Sequence, residues 1–465
     1  MSDNSVNPSV PLPPAIRYPQ DYSISNLTLL TPAGTWDFKS IMVELSYHED
    51  LFNNTASGYL MVSESANFIE TLHLNGNEFL RMTFSVGGNV STQIDKVLRI
   101  YKMDTRKQEN NMYTMSYALY FCSEEMLLNE QYKISKAYPN TEIYKNVLDI
   151  LLNQLNIPPQ KIANVEQTYG SYDFVIPTIK PFDAINWMSN YARPSSGILG
   201  SDMVFYEDKY GFNFRSLQSL MKNPVYHNYS YNPKNTDPSN LNSDEFNVLT
   251  YEFLNSFDTL GAINSGIFAN QLISVDILTR TRKVTNFDYG AYQSDANVVK
   301  LNKNPITNQY TNRKKDQLNQ TPQAVLKLIF SNFSQDSSNY LKQFPGAVAH
   351  NIYAETYIPY RTAQMSLSNY TRLKISVPGD SALTVGMVVG FSLKSNNPNN
   401  NSPDAFYSGN YLVTAVRHII TNRYITVLEL AKESVPTPYA SPDNNSPIWQ
   451  NTVKGLTKAE VGVIE

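Results

Sequence analysis

The sequence predicts a mainly β protein with α+β character: two similar small β-barrels, an intervening α/β domain and a small inserted domain. Three observations carry that prediction. Apolar residues alternate along most of Leu27 to Glu125 and again towards the C-terminus, the period of a strand with one buried face. From about Met126 the texture changes to helical spacing. One strand pattern is written twice, once near each end of the chain.

Residues 1–20 form a Pro-rich arm without core-forming pattern. "IMVELSYHEDLFNNTASGYLMVSES" reads as two strands around a turn that holds Asn53-Asn54 and Gly58. "VLRIYKMDTRKQENNMYTMSYALYF" reads as a second pair, its polar turn running from Thr105 to Asn111. Short strands separated by turns suit a small barrel or sandwich. "TEIYKNVLDILLNQLNI" then places Ile143, Val147, Ile150, Leu151 and Leu155 on one helical face. Thr141 stands at the cap and Pro158-Pro159 ends the helix. "KPFDAINWMSNYA" predicts a second helix with Pro181 near its start. "DMVFYEDKYGFNFRSLQSLM" predicts a hairpin that turns from Asp208 to Gly211.

Leu249 to Tyr289 returns to strand character. Residues 291–355 are polar and irregular, apart from one expected helix in "TPQAVLKLIFSNF" with Pro322 near its start. Strand texture is expected to resume at about Tyr357 and to continue to Leu430. The expected divisions are therefore the arm at 1–20, a first barrel at 21–127 and an α/β domain at 128–225. A second barrel at 226–290 and 356–435 is interrupted by an inserted domain at 291–355, and a tail at 436–465 contains Trp449.

The repeat rests on an ungapped alignment of "NGNEFLRMTFSV" with "PGDSALTVGMVV". It pairs Gly76 with Gly379, Asn77 with Asp380, Leu80 with Leu383, Met82 with Val385, Phe84 with Met387 and Val86 with Val389. Downstream, "NMYTMSYAL" matches "NRYITVLEL" at Asn, Tyr and the final Leu, Leu119 and Leu430. Each copy reads as strand, connection and hairpin. A glycine at 379 is expected to serve a backbone turn, so that Gly379→Val disrupts the second barrel. Three chains, each with two similar barrels, would make a ring with true three-fold and approximate six-fold symmetry.

Composition bounds the function. The chain of 465 residues is 42% hydrophobic and 17% charged, with net charge −4, which supports packed cores and gives no concentrated basic surface for nucleic acid. Its densest basic run, Asn312 to Gln317, reads as a solvated loop. The single cysteine, Cys122, sits in an alternating run and reads as a small buried apolar residue. The N-terminus lacks the pattern of a signal peptide, and no run approaches the roughly 20 apolar residues of a membrane span. Synthesis and initial residence in the cytoplasm are expected.

No phosphate-binding, dinucleotide-binding, nucleophile-elbow or zinc-ligand motif occurs. His48, His73, His227, His350 and His418 are scattered, and His73 and His418, in strand-like runs, read as structural. The acid pairs Glu49/Asp50 and Glu124/Glu125 are adjacent, so their side chains diverge. No catalytic, cofactor-binding or metal residue is assigned, no cofactor is expected, and residues that bind partners are not identifiable.

Several segments together resemble the central baseplate hub protein of contractile-tailed bacteriophages, a family related to the hub part of secretion-system spike proteins. "SGYLMVSESANFIETLHLNGNEFLRMTF" resembles the first hub barrel. The helix "KPFDAINWMSNYA" with its hairpin, "GFNFRSL" above all, resembles the hub's α/β domain. "GIFANQLISVDILTRTRKVTNFDY" and "RTAQMSLSNYTRLKISVPGDSALTVGMVV" resemble the second barrel. The resemblance spans about residues 25–435; the 291–355 segment and the N-terminal arm have no counterpart in it. It implies a non-enzymatic homotrimeric ring in the virion tail. Such a ring carries the central spike protein, meets the tail tube or tube-initiator protein, and contacts baseplate wedge and tape-measure proteins. DNA passes through its channel without specific binding, and the protein does not insert in a membrane. A β-rich tail adhesin or carbohydrate-binding protein, a β-rich hydrolase and a fused hub–spike protein are the competing readings. The absence of a long β-helical C-terminal repeat argues against the last.

Overall fold

Alternation in the sequence becomes burial in space. Along β4 (Ser57–Glu64) every second residue is buried, and Gly58, Leu60, Val62 and Glu64 face inward. The computed structural model describes residues 22–438, apart from 67, 88–89, 109–113, 197–198, 232–245, 277–279, 307–325, 331–353, 368–369 and 396–401. Its architecture is mainly β, with long antiparallel pairings.

The N-terminal strands are β1 (Tyr22–Thr31), β2 (Gly34–Asp37), β3 (Met42–Asp50), β4, β5 (Phe79–Val86), β6 (Ile94–Gln108) and β7 (Met115–Cys122). They lie in the order β2-β1-β5-β6-β7-β4-β3. The middle of the chain holds β8 (Ile134–Thr141), β9 (Ile162–Val165), β10 (Thr168–Tyr169), β11 (Tyr172–Ile179), β12 (Arg193–Pro194), β13 (Met203–Asp208) and β14 (Gly211–Ser216). These pair in small sheets, β8 with β11, β10 with β12 and β9 with the β13–β14 hairpin. They pack on the helices Ile143–Asp149 and Pro181–Ser189.

The C-terminal part contributes β15 (Val225–Tyr231), β16 (Thr250–Asn255), β17 (Ala269–Asp276), β18 (Thr281–Asp288), β19 (Asn304–Pro305) and β20 (Leu326–Phe330). After them come β21 (Thr371–Pro378), β22 (Val388–Leu393), β23 (Gly409–Ile420), β24 (Tyr424–Lys432) and β25 (Ser434–Val435).

Two six-strand sets share one order. The first runs β1-β5-β6-β7-β4-β3 and the second β15-β22-β23-β24-β21-β16. Numbered along the chain within each set, both read 1-4-5-6-3-2. A layer of side chains crosses corresponding strands in each. Leu45, Leu60, Leu119 and Met103 stand opposite one another in the first set, and Phe253, Leu373, Leu430 and Val413 in the second. In both, the residues just before the second strand bond to the first strand and to the third. Phe38 N–H donates to Leu27 O (2.9 Å) and Ser63 N–H to Ile41 O (2.9 Å). Val248 N–H donates to Ser230 O (2.9 Å) and Leu249 N–H to Ser376 O (2.8 Å). The sets differ at one pair, since β1 lies antiparallel to β5 whereas β15 lies parallel to β22.

A seam makes the sets one sheet. Residues Ala415–Ile420 of β23 pair antiparallel with Leu45–Asp50 of β3. The β23–β24 hairpin also lends Ile420 and Tyr424 to the first set's core.

Several sequence expectations change. The ungapped repeat alignment fails after Gly379, because β5 is one continuous strand while residues 381–386 form two turns before β22 begins at Val388. Gly379 has no positive φ; a Cβ there would lie 2.1 Å from Cγ of Tyr424, so close approach, not a turn, demands glycine. Gly58 lies inside β4, not in the turn, where a Cβ would lie 2.1 Å from Ser46 O. The predicted strand pair around Thr105 turns later, since β6 runs to Gln108.

Thr141 does not cap the helix that follows it. It ends β8 and donates its hydroxyl to Asn146 Oδ1 (2.7 Å), while the helix begins at Ile143 and continues as a π turn over Ile150–Gln154. All five of its predicted apolar residues are buried. The expected helix at "TPQAVLKLIFSNF" is instead a strand at Leu326–Phe330, parallel to β17, because an available sheet edge outweighs local propensity; Pro322 lies outside the described residues. Tyr357 falls in a helix, Ala354–Leu367, and strands resume only at Thr371. A further helix, Thr259–Ser265, breaks the expected strand region, capped by the Asp258 carboxylate on Gly261 N–H. The Asn111-x-Tyr113 match, the run Asn312 to Gln317, His350 and Trp449 lie outside the described residues.

Candidate functional site

The two strand sets and the β13–β14 hairpin meet around a buried charged cluster. Each element delivers its residues by ordinary alternation. β3 turns Leu45, Tyr47 and Glu49 inward, and all three are buried. The hairpin tip supplies Glu207, Asp208 and Lys209, where Asp208 Oδ1 accepts from the N–H groups of Tyr210 (2.8 Å) and Gly211 (3.0 Å). β6 contributes Lys96, and the turns between β21 and β22 contribute Ser381 and Thr384.

Their contacts cross all three units. Lys96 Nζ donates to Glu207 Oε1 (3.0 Å) and to the Asp208 carbonyl (2.7 Å). Glu207 Oε2 accepts from Ala56 N–H (2.9 Å) and the Ser123 hydroxyl. Lys209 Nζ donates to the carbonyls of Ser381 and Ala382, each at 2.9 Å. Glu49 Oε2 accepts from the Thr384 hydroxyl (2.5 Å) and Val385 N–H (3.3 Å). A short path of hydrogen bonds thus ties the first set to the hairpin and the second set.

The electrostatics follow from burial. Desolvation pushes the Glu49 carboxyl up to about 7, and the Asp208 charge adds to it against the Thr384 hydrogen bond. Burial raises the Asp208 carboxyl and lowers the Lys209 ammonium. For Lys96, burial acts to lower the pKa, but Glu207 with Glu49 and Asp208 prevails and holds it above the usual lysine range. His418 is fully buried beneath the seam; desolvation, with Lys209 and His48 adding, brings it down to about 3. Its Nδ1 shares a hydrogen bond with the Tyr424 hydroxyl (2.8 Å).

The outer face of the seam is polar. Arg417 of β23 donates from Nε to the Ser46 hydroxyl (2.9 Å) and from its guanidinium to the Tyr59 hydroxyl (2.8 Å), and lies 3.7 Å from Glu44 Oε1. His48 beside it is lowered to about 4 by burial and by Arg417. A groove of about 700 Å³ runs here, with His48, Asp50, Tyr251, Lys374, Arg417 and Glu429 among its lining residues.

Among residues weighed in the sequence, Glu49 accepts its hydrogen bonds inside the cluster, whereas its neighbour Asp50 accepts from Phe52 N–H (2.8 Å) and Asn53 Nδ2 (3.1 Å) in the turn after β3. Glu124 and Glu125 open the helix Glu124–Gln131, and Glu125 pairs with Lys161 (2.6 Å). Cys122 ends β7, and burial pushes its thiol up to about 11. His73 sits exposed in a turn, not a strand, and His227 lies on β15. Sequence reasoning passed over Glu207, Lys209 and Lys96; the visible signal was "EDK" interrupting an otherwise aromatic hairpin. Among the described residues no group of three or more His, Cys, Asp or Glu is arranged to hold a metal ion.

No family model and no curated protein matches the sequence. Solved structures do. The tail protein from Neisseria meningitidis MC58 matches with a TM-score of 0.51 at 8% identity, over 89% of this chain and 97% of that one. The 43 kDa tail protein of prophage MuSo2 from Shewanella oneidensis matches with a TM-score of 0.50 at 7% identity, over 88% of this chain and 99% of the other. This chain shares the fold of these two tail proteins.

Proposed function

We propose that this chain is the structural hub of a phage tail baseplate, a homotrimeric ring with pseudo-six-fold symmetry that joins the trimeric central spike to the six-fold tail tube. The observation that carries this reading is the repeated 1-4-5-6-3-2 strand order, each set bridged from its first strand to its third by the residues before its second. Each set is read as a small closed barrel. Two barrels per chain and three chains give six similar units, which lets a three-fold body meet a six-fold one. The fold shared with phage tail proteins supports a structural role in the virion tail.

In this reading the α/β unit is the brace between barrels. Its hairpin reaches into the junction through Glu207, Asp208 and Lys209, so that load on one barrel passes to the other through buried contacts. The ring leaves a channel for DNA ejection, and tube-initiator, wedge and tape-measure proteins dock around it. Its role is mechanical, not enzymatic. Obligate rings of this kind bury roughly 2,000 Å² or more at each interface.

Electron microscopy of the purified chain, alone and with its candidate spike, tests the reading. Particles averaged down their axis are expected to show a hollow three-fold ring with six similar lobes. Monomers that persist with the spike present would overturn it.

A further inference from the structure

The seam inside the chain has a counterpart that no strand among the described residues fills. β23 carries β24 along one edge; its other edge is shared, by β22 over Gly409–Leu412 and by β3 over Ala415–Ile420. β6 is the corresponding fifth strand of the first set. Its pairing with β5 covers only Ile94–Arg99. Beyond Ile100, among the described residues, strands pair with β6 along its β7 edge alone. The exposed side chains there include Tyr101, Lys102, Arg106 and Lys107, whereas the matching stretch of β23 is alternately buried.

β16 is the second strand of its own set, as β3 is of the other, and it ends the described sheet. β3 has β4 on one side and β23 on the other; β16 pairs with β21 on one side. From β16 onwards lies a dense run of exposed apolar residues: Tyr251 at 36%, Leu254 at 42%, Phe257 at 69% and Leu260 at 75%.

Resting on the trimer reading above, we infer that β6 beyond Ile100 pairs antiparallel with β16 of the next copy, repeating between chains the β23–β3 seam made within each chain. Register follows from the shared layers. Leu45 and Phe253 stand opposite Leu60 and Leu373, so Glu44 and Glu252, one residue earlier, correspond. Arg417 and Lys107 stand opposite Val427 and Ser116, which the Leu119/Leu430 match makes equivalent. Within the chain, Arg417 faces His48 and reaches Glu44. Between chains, Lys107 faces Phe257 and reaches Glu252. His48 is two residues beyond Ser46, and Phe257 two beyond Asn255, the residue matching Ser46 across a bulge at Leu254. A head-to-tail contact of this kind uses one edge of each chain on either side, and it closes into a ring of three when each copy is rotated by a third of a turn from the last.

Two experiments on the full-length chain test the pairing. In a Cys122→Ser background, Lys107→Cys with Phe257→Cys is expected to give covalent trimers on non-reducing gels, and neither single cysteine is expected to do so. Separately, Lys107→Glu or Glu252→Lys alone is expected to lower the trimer fraction seen by light scattering, and the two together to restore it. Trimers that form without cross-linking and ignore the charge reversals would overturn the strand pairing while leaving the trimer intact. A parent chain that stays monomeric at high concentration would overturn both.

Discussion

Leu119 and Leu430 hold the same place in the two strand sets. Each lies fully buried on the sixth strand, opposite a leucine of the third, Leu60 or Leu373. Their shared position extends the repeat from a sequence match into a packed layer. Leu119→Ala and Leu430→Ala should each cost about 2–5 kcal/mol, the range for emptying a well-packed site. Thermal melts of both variants, compared with the parent, should show depressions of similar size. A negligible effect at either site would mean that its layer is not a packed core.

Gly379 and Gly76 separate two reasons for a glycine. At Gly76 the backbone has φ +91° and a Cβ would have its nearest neighbour 3.7 Å away, so alanine there meets strain without collision. At Gly379 a Cβ would strike the root of the Tyr424 ring, which lies too near its own backbone to move aside. Gly379→Ala should therefore destabilise more than Gly76→Ala, and Tyr424→Ala should recover part of the loss at Gly379 only. Melting temperatures of the two single variants and of the Gly379→Ala/Tyr424→Ala double variant decide it.

Glu49 gives the pH dependence a definite sign. Its folded pKa of about 7 exceeds the ordinary 4.5, so the folded chain holds its proton longer than the unfolded chain. The stability linked to this proton is present below about pH 4.5 and is lost as pH rises through about 7, an effect on the order of 3 kcal/mol. His48 and His418 act oppositely. Their pKa values fall from 6.5 to about 4 and about 3, so the stability they contribute is present above pH 6.5 and is lost as pH falls. Glu49→Gln should stabilise the chain at pH 8 and do little at pH 4.5. Urea unfolding at both values measures the difference, and equal effects would remove Glu49 as the source.

Lys96 and Glu207 form a largely buried pair with side-chain exposures of 12% and 7%. Glu207→Ala leaves the Lys96 ammonium without its ion-pair partner and Ala56 N–H and the Ser123 hydroxyl without their acceptor, at a cost of about 3–5 kcal/mol. Replacing both, Lys96→Met with Glu207→Leu, should recover part of that loss because neither member of the pair is left charged without the other. Unfolding of the two singles and the double, read as a cycle, gives the coupling.

How much of this was legible beforehand varies by physical cause. Strand alternation, the β13–β14 hairpin and the Pro181 helix start were readable because each depends on neighbours within a few residues. Leu326–Phe330 was not, since its strand state depends on β17, which lies far away in sequence. The helix at Ala354–Leu367, with Pro359 inside it, was hidden for the same reason, as its residues Ala354 and Tyr357 are buried against Leu272 of β17. The junction cluster was the least legible of all. Nothing local marks Glu49, Glu207 or Lys96 as partners in one site, because the contacts that join them link segments far apart in sequence.

The seam also fixes when folding can finish. β3 emerges from the ribosome long before β23, yet the two are adjacent in the sheet, and Ile420 and Tyr424 complete the core of the first strand set. Contacts so far apart in sequence form late. A truncated translation product would lack the strand that covers β3 and would leave that edge open. Only a chain that extends through β23 and β24 can present the finished surface, so the fold itself sets complete chains apart from incomplete ones.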